Sequence, residues 1–200
     1  VIADNYNDKK LNSPNDVAVS KLGNIWFTDP PYGILTNQEG HKSESEQDGN
    51  NLFMVDKDFK IKKINAKFDK PNGLAFSPNG KYLYVADSGA ANPGNFDLSR
   101  PHNIQVFELD DDENIISNKI FAEINDGFPD GMTVDVNGNL FVCDPNGKKI
   151  HIFESSSNYI GNINIPERVA NCTFGGENKT DLYITASTSL FRIKTLTQGL

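Results

Sequence analysis

Cysteine, histidine and long apolar runs are all scarce in this 200-residue sequence, and each scarcity argues against a class of protein. The two cysteines, Cys143 and Cys172, lie inside apolar runs, so we expect two buried thiols rather than a disulfide or a metal pair. The three histidines, His41, His102 and His151, are scattered, which argues against a zinc site built from His and Cys. No stretch is long and apolar enough to cross a membrane as a helix.

Basic residues are also fewer than acidic ones. The chain has 19 Lys and Arg against 27 Asp and Glu, which gives a formal net charge of −8. A surface of this sign argues against a nucleic-acid partner. Sustained 3.6-residue periodicity is missing as well, so no long helix is expected. The length is that of one compact domain.

What the sequence does contain is a four-fold internal repeat. Each copy places Asn or Asp at the head of a short apolar run, which is followed by a Gly-containing turn or loop and a second apolar run. The heads of the copies are Pro14-Asn15-Asp16-Val17, Pro71-Asn72-Gly73-Leu74, Pro129-Asp130-Gly131-Met132 and Ala170-Asn171-Cys172-Thr173. Successive heads are 57, 58 and 41 residues apart. Periods of this size, with several strands per unit, are typical of β-propeller blades.

Turn chemistry supports strands within each unit. Two of the turns contain Asn-Gly, at Asn79-Gly80 and Asn137-Gly138. This dipeptide favours a tight hairpin because it tolerates positive φ. Two further apolar runs follow the hairpin in the second and third units. Four antiparallel strands per unit predict a propeller blade.

We therefore predict an all-β fold, a single partial β-propeller domain over residues 1–200 that holds about four blades. The expected parts are an outer strand of a preceding blade with a linker at 1–12, blades at 13–69, 70–127 and 128–168, and an incomplete last blade at 169–200. The opening Val1-Ile2-Ala3 resembles the middle of a protein. Because a propeller must close to protect its sheet edges, further N-terminal blades are expected to complete the ring.

The heads of the four units predict a shared polar site. In a blade the innermost strand lines the central channel, so the four head side chains should converge at one mouth of that channel; they are Asn15, Asn72, Asp130 and Asn171. Their amide and carboxylate oxygens are ligands that a hard cation such as Ca²⁺ prefers. For any single residue, the alternative is that it caps a turn by bonding to nearby backbone amides.

Two polar segments should lie on the same face as this site. Residues 35–51 and 88–103 each follow the second strand of a unit, which returns the chain to that face. Each segment is either a lid over a bound molecule or a solvated loop.

The motifs around these positions, taken together, resemble those of a known protein family. The matching stretches are Ser13-Pro14-Asn15-Asp16, residues 26–33 (Trp-Phe-Thr-Asp-Pro-Pro-Tyr-Gly), residues 70–78, Phe128-Pro129-Asp130-Gly131-Met132, residues 170–176 and residues 182–186. They resemble the SMP-30/gluconolactonase/lactonase (LRE) family, and the Asp-Pro-Pro-Tyr-Gly run resembles its bacterial gluconolactonase branch. The resemblance implies a six-bladed propeller with one divalent metal in the channel, often calcium, and hydrolysis of sugar lactones.

The resemblance also implies roles for individual residues. Asn72 and Asp130 match metal ligands of the family, and Asn15 matches a channel residue that contacts the metal, its water or the substrate. Asp16 matches a contact for substrate hydroxyls. The family's metal-binding Glu has no match in this chain. Some members carry an Arg where this sequence has Ser13, so their substrate contacts do not carry over.

The resulting functional hypothesis is metal-dependent hydrolysis of a gluconolactone-like sugar lactone to the aldonic acid. In this hypothesis a cation polarises the carbonyl, and Asp130 acts as ligand and general base. Tyr32 and Asn171 are further candidates for substrate contact. Ca²⁺ is the expected metal, with Mg²⁺, Mn²⁺ or Zn²⁺ as alternatives. Two other functions stay open: phosphotriester hydrolysis at the same site, and a non-catalytic propeller that binds a metal or a protein partner.

Overall fold

The computed structural model describes residues 1–92 and 95–200. Pro93 and Gly94, which belong to the polar segment at 88–103, lie outside the described residues. The described part consists of strands and turns apart from a single helical turn, α1 (Tyr32–Leu35). The prediction of an all-β fold is therefore confirmed. No helix in the part of the chain that the structure describes is long and apolar enough to cross a membrane.

Four antiparallel sheets follow one another along the chain, and in each the strand order follows the sequence. A short hairpin of β1 (Asn5–Tyr6) and β2 (Lys9–Lys10) precedes them. The first sheet contains β3 (Val17–Val19), β4 (Ile25–Asp29), β5 (Asn51–Val55) and β6 (Ile61–Lys63). The second begins with β7 (Pro71–Phe76) and β8 (Tyr82–Asp87), is interrupted by a small hairpin of β9 (Ala91–Asn92) and β10 (Asn95–Phe96), and ends with β11 (Asn103–Leu109) and β12 (Ile115–Glu123).

The last two sheets have the same meander order. The third contains β13 (Met132–Val134), β14 (Leu140–Asp144), β15 (Lys149–Phe153) and β16 (Tyr159–Asn164), and the fourth contains β17 (Val169–Gly175), β18 (Asp181–Ala186) and β19 (Leu190–Lys194). Four such sheets, arranged one after another, are the four propeller blades predicted from the repeat. The Asn-Gly turns behave as expected, because Gly80 and Gly138 adopt φ of +76° and +84° between the paired strands.

Three of the hydrophobic clusters in the described residues lie between neighbouring blades, and a further one packs the first sheet against the segment that precedes it. One cluster joins Trp26 and Leu52 of the first sheet to Leu83, Val85 and Phe107 of the second. Equivalent clusters join the second sheet to the third and the third to the fourth. Sheets that pack face to face in this way bury alternating side chains from both partners. The two cysteines are free and buried, as expected from the sequence.

A polar contact also joins the first and second blades. Glu113 lies in the turn between β11 and β12 at φ +61° and is 7% exposed. Its Oε2 accepts hydrogen bonds from Trp26 Nε1 at 3.2 Å and from Asn24 Nδ2 at 3.0 Å. The acidic run at 110–113 is thus a turn that reaches back to the preceding blade.

We expect Glu113→Ala to lower the free energy of unfolding by about 2 kcal/mol, because the buried indole N–H of Trp26 would lose a charged acceptor. Urea denaturation of the variant and the wild type measures this difference. Asp111→Ala, an exposed change in the same turn, is the matched control and should cost less than about 0.5 kcal/mol. Equal losses in both variants would contradict the assigned role of Glu113.

Candidate active site

Residues from all four blades line a cavity of about 840 Å³, called here the site cavity. Four of the six residues predicted for the site line it: Asn15, Tyr32, Asn72 and Asp130. Asp16 and Asn171 are not among its lining residues. The head residues of the first three repeat units therefore line one cavity, together with Tyr32, the first residue of α1.

Buried carboxylates fix the segments that lead into the innermost strands. Asp87, at the end of β8, accepts the backbone N–H of Asp69 at 2.9 Å and of Lys70 at 2.8 Å. Asp29 does the same for Asn12 at 2.9 Å and Ser13 at 2.8 Å. Burial raises the pKa of Asp29 to about 6 and also raises the pKa of Asp87, while these backbone hydrogen bonds act in the opposite direction.

Asp144 occupies the equivalent position at the end of β14. It accepts the backbone N–H of Phe128 at 3.4 Å and of Gly147 at 2.9 Å. Its other oxygen lies 3.2 Å from His151 Nε2. The three carboxylates therefore have a structural role: they hold the backbone just before each head residue, so that the head side chain enters the cavity at a fixed position.

Hydrogen bonds between neighbouring blades fix Asn72 further. The Thr28 hydroxyl donates to the Asn72 carbonyl at 2.8 Å. The Asn72 side-chain nitrogen donates to Ser88 Oγ at 3.2 Å, and the Ser88 hydroxyl donates to the carbonyl of Pro129. With its nitrogen engaged, Asn72 has its amide oxygen left for a ligand.

Two glycines allow the innermost strands to approach closely. A Cβ on Gly73 would lie 2.2 Å from the carbonyl oxygen of Asp130, and one on Gly131 would lie 2.2 Å from the side-chain carbon Cγ of Asn171. No side chain fits at either distance. Gly is therefore required after Asn72 and after Asp130 for the neighbouring heads to come together.

The Asp130 carboxyl lies in an electrostatically unfavourable environment for its charged form. Burial, followed by the Asp16 and Glu39 carboxylates, raises its pKa to about 7, and hydrogen bonding from Asn72 and from the Gly131 backbone N–H opposes this shift. Asp130 can therefore accept a proton near neutral pH.

The hydroxyl of Tyr32 is buried near the Asp130 carboxyl and has no hydrogen-bond partner among the described residues. Its Oη is enclosed and makes no hydrogen bond with any described residue. It lies beside the side chains of Ser88 and Asn72, but the geometry of a hydrogen bond is met with neither. Burial and the Asp130 carboxylate raise the pKa of Tyr32, so its hydroxyl stays protonated. An unpaired donor at this depth suggests that a ligand completes the site.

Asp16 and Asn171 serve the strands that flank the cavity. Asp16 accepts the backbone N–H of Val17 at 2.9 Å and, across the blade boundary, that of Leu74 at 3.1 Å. Burial raises its pKa, and these two hydrogen bonds oppose the shift. Asn171 is exposed, and its Oδ1 accepts the backbone N–H of Cys172 at 2.8 Å.

Two charged lining residues were not identified from the sequence. Glu39 belongs to the polar segment at 35–51, which does cover part of the site cavity through Leu35, Thr36, Gln38 and Glu39. Arg168 comes from the segment before β17 and brings a positive charge to the cavity. Neither residue belongs to the repeated motif, so the sequence held no signal for them beyond the expected position of the 35–51 loop.

The donor set suits a hard cation. Within residues 1–92 and 95–200, no three His, Cys, Asp or Glu side chains form a group that could hold a metal ion. The candidate donors are instead one carboxylate, on Asp130, and the amide oxygens of Asn72 and Asn15. All of these donors are oxygens, and the Asp16 carboxylate adds a second negative charge beside that of Asp130. A divalent cation would offset the repulsion between the two carboxylates, so these residues fit such an ion.

A family model described as the SMP-30/gluconolactonase/LRE-like region matches residues 1–188 of the chain. A curated relative, a gluconolactonase from Zymomonas mobilis, is 38% identical over 209 aligned residues, which cover all of this chain and 55% of the relative. A solved gluconolactonase from Xanthomonas campestris is 33% identical with a TM-score of 0.82, and the match covers 96% of this chain and 60% of that one.

A more distant structure shares the fold. A calcium-binding protein, regucalcin, from Agrobacterium tumefaciens matches with a TM-score of 0.73 at 18% identity, over 94% of this chain and 62% of that one. At this identity the likeness concerns the fold alone. The chain spans between half and two thirds of the length of these relatives.

Proposed function

Because the chain belongs to the SMP-30/gluconolactonase/LRE-like family, we propose that the protein hydrolyses a gluconolactone-like sugar lactone to the aldonic acid. The observation that carries this proposal is the position of Asp130, a partly buried carboxyl on a cavity of about 840 Å³. Its pKa of about 7 suits a group that takes a proton from water at neutral pH.

Asp130 acts as the general base in the proposed reaction. A water adds to the lactone carbonyl while one of its protons moves to the Asp130 carboxylate. The ring C–O bond then breaks, the released alkoxide takes up the proton that Asp130 accepted, and the product leaves as the aldonic acid. The Asn72 side chain lies beside Asp130 and favours its charged form, and Ser88 fixes Asn72.

Asp130, Asn72 and Asn15 are also the residues that would hold a divalent cation. Ca²⁺ is the favoured ion because the donors are all oxygen, and Mg²⁺, Mn²⁺ and Zn²⁺ are alternatives. When bound, such a cation would polarise the lactone carbonyl and stabilise the negative charge that develops on it.

The remaining predicted residues are proposed to contact the sugar. The Tyr32 hydroxyl faces Asn72 and has no described partner, so it is available to a substrate oxygen. Each Asp16 carboxylate oxygen accepts one backbone N–H and keeps a lone pair for a sugar hydroxyl. Asn171 offers its side-chain nitrogen, because its Oδ1 is engaged by Cys172.

Chelation of the full-length protein tests the proposal. We expect calorimetry to show calcium binding, and we expect excess chelator to abolish gluconolactone hydrolysis in a pH-stat assay until calcium is restored. Hydrolysis that survives chelation would contradict the role of the cation. Calcium binding without hydrolysis of either a lactone or a phosphotriester would replace the proposed enzyme with a binding protein, and hydrolysis of the phosphotriester alone would change the substrate class.

A further inference from the structure

We propose that a second small-molecule site, which takes a hydroxylated ligand the size of a monosaccharide, lies between the second and third blades. A cleft of about 580 Å³, called here the second cleft, separates the outer strand β12 from the hairpin turns of the third blade. None of its lining residues lines the site cavity. Its volume falls within the range of pockets that bind small organic molecules.

The hydroxyl of Tyr84 carries this inference. Tyr84 lines the second cleft and is only 2% exposed. Its hydroxyl makes no hydrogen bond with any residue that the structure describes. Among the described residues, the fully enclosed polar side-chain atoms without a partner are Tyr32 Oη and Asn103 Oδ1, so the Tyr84 hydroxyl is open to the second cleft. The Tyr84 side chain is thus buried except at a hydroxyl that faces the second cleft, where a ligand can form a hydrogen bond with it.

The position of Tyr84 is fixed by packing. It lies on β8 two residues after Tyr82, so the two side chains share one face of the strand. The Tyr84 ring packs edge-on against Phe121, with ring centroids 4.9 Å apart. Burial, with a smaller contribution from Tyr82, raises the pKa of Tyr84, so its hydroxyl stays protonated and can donate or accept. The hydroxyl is therefore held rigidly at the wall.

The other wall supplies more hydroxyl and amide groups. Ser155, Ser156 and Ser157 of the β15–β16 turn line the second cleft, and the Ser155 hydroxyl makes no hydrogen bond within the described part of the chain. Asn137 lies in the β13–β14 turn on the same wall, and Asn79 lies in the β7–β8 turn on the side of Tyr84. These groups can each exchange hydrogen bonds with a ligand hydroxyl.

Apolar surface lies between the polar groups. Ile120 and Val136 are 56% and 46% exposed, and both line the second cleft. Together with the Tyr82 ring they can cover the C–H face of a sugar ring, while the hydroxyls of the ring reach the serines and tyrosines. No acidic residue lines this cleft in the described part of the chain, although the protein carries a net charge of −8, and Lys119 is its one cationic lining residue. The second cleft therefore suits a neutral sugar or a sugar acid.

The test is a titration of the ¹⁵N-labelled full-length protein with D-glucose and, separately, with D-gluconate. We expect the backbone signals of Gly138 and Ser155–Ser157 to shift with either or both ligands, and the signals of Gly73 and Gly131 report separately on the site cavity. Shifts with both ligands support a neutral sugar site, and shifts with gluconate alone support a sugar-acid site that uses Lys119. Millimolar ligand that leaves the Gly138 and Ser155–Ser157 signals in place overturns the proposal.

Tyr84→Phe removes only the hydroxyl and should weaken binding at the second cleft roughly tenfold, the loss expected for one hydrogen bond in a buried setting. The ring packing on Phe121 is retained, so the variant is expected to fold. Tyr159→Phe, on an exposed strand outside this cleft, is the matched control and should bind as the wild type does. Unchanged affinity in Tyr84→Phe would also overturn the proposal. Because none of these readouts measures catalysis, their failure is distinguishable from failure of the lactonase proposal.

Discussion

Asp130→Asn in the full-length protein is expected to lower kcat for gluconolactone hydrolysis by roughly 10²–10⁴-fold, the contribution of a positioned general base. The amide has nearly the same shape as the carboxylate but cannot accept the proton of the attacking water. It also removes the negative charge that a cation in the cavity would require. Initial rates at saturating substrate, measured by pH-stat, give the change in kcat.

Folding of this variant is expected to be intact. Burial and the Asp16 carboxylate disfavour the charged form of Asp130, so its neutralisation should leave the melting temperature unchanged or raised. Glu39→Gln is the matched control, because it removes one negative charge from the same cavity without removing the proposed base. A comparable loss of kcat in Glu39→Gln would assign the effect to the charge of the cavity rather than to Asp130. Near-normal turnover in Asp130→Asn would defeat the assignment directly.

Asp87→Ala is expected to have the largest effect on stability, a loss of about 2–4 kcal/mol in the free energy of unfolding. Asp87 is 2% exposed, and the change leaves the backbone N–H groups of Asp69 and Lys70 without their acceptor. Denaturant unfolding monitored by the tryptophan fluorescence of the protein measures the loss.

The same change should also disturb the site, because Asn72 follows Lys70 by two residues. We expect weaker calcium binding in Asp87→Ala even under conditions in which the variant is fully folded. Asp97→Ala is the control: the Asp97 carboxylate accepts hydrogen bonds from the exposed Ser99, so its loss should change neither stability nor calcium affinity by more than a small amount. A folded Asp87→Ala variant with unchanged stability would show that the carboxylate does not hold the segment before Asn72.

Much of the fold could be predicted from the sequence because its signals are local. Strand pairing follows from alternating apolar residues and from the Asn-Gly turns at Gly80 and Gly138, which concern residues a few positions apart. The repeat then implies that equivalent positions are placed equivalently in space. This is why the repeat alone was enough to assign Asn15, Asn72 and Asp130 to one cavity.

The repeat does not predict which of the equivalent residues are placed differently from the others in the folded protein. Asn171 heads its unit as Asn72 does, yet it is exposed and lies outside the lining of the site cavity. Asp16 stands where the next two units have glycine, and its carboxylate crosses to Leu74 of the neighbouring blade. Both outcomes depend on how closely two blades approach each other, which short sequence patterns do not encode.

By itself, then, the sequence determined the all-β class, the succession of blades and the polar heads of the repeat, because hydrophobic alternation and turn preferences act between near neighbours in the chain. Only the tertiary structure decided that Glu39 and Arg168 join the site cavity, that Glu113 bonds to Trp26, and that Tyr84 opens into a separate cleft. Each of these contacts joins different blades or loops. Their positions are set by the packing of whole sheets against one another, and that packing is a property of the complete fold rather than of any one segment.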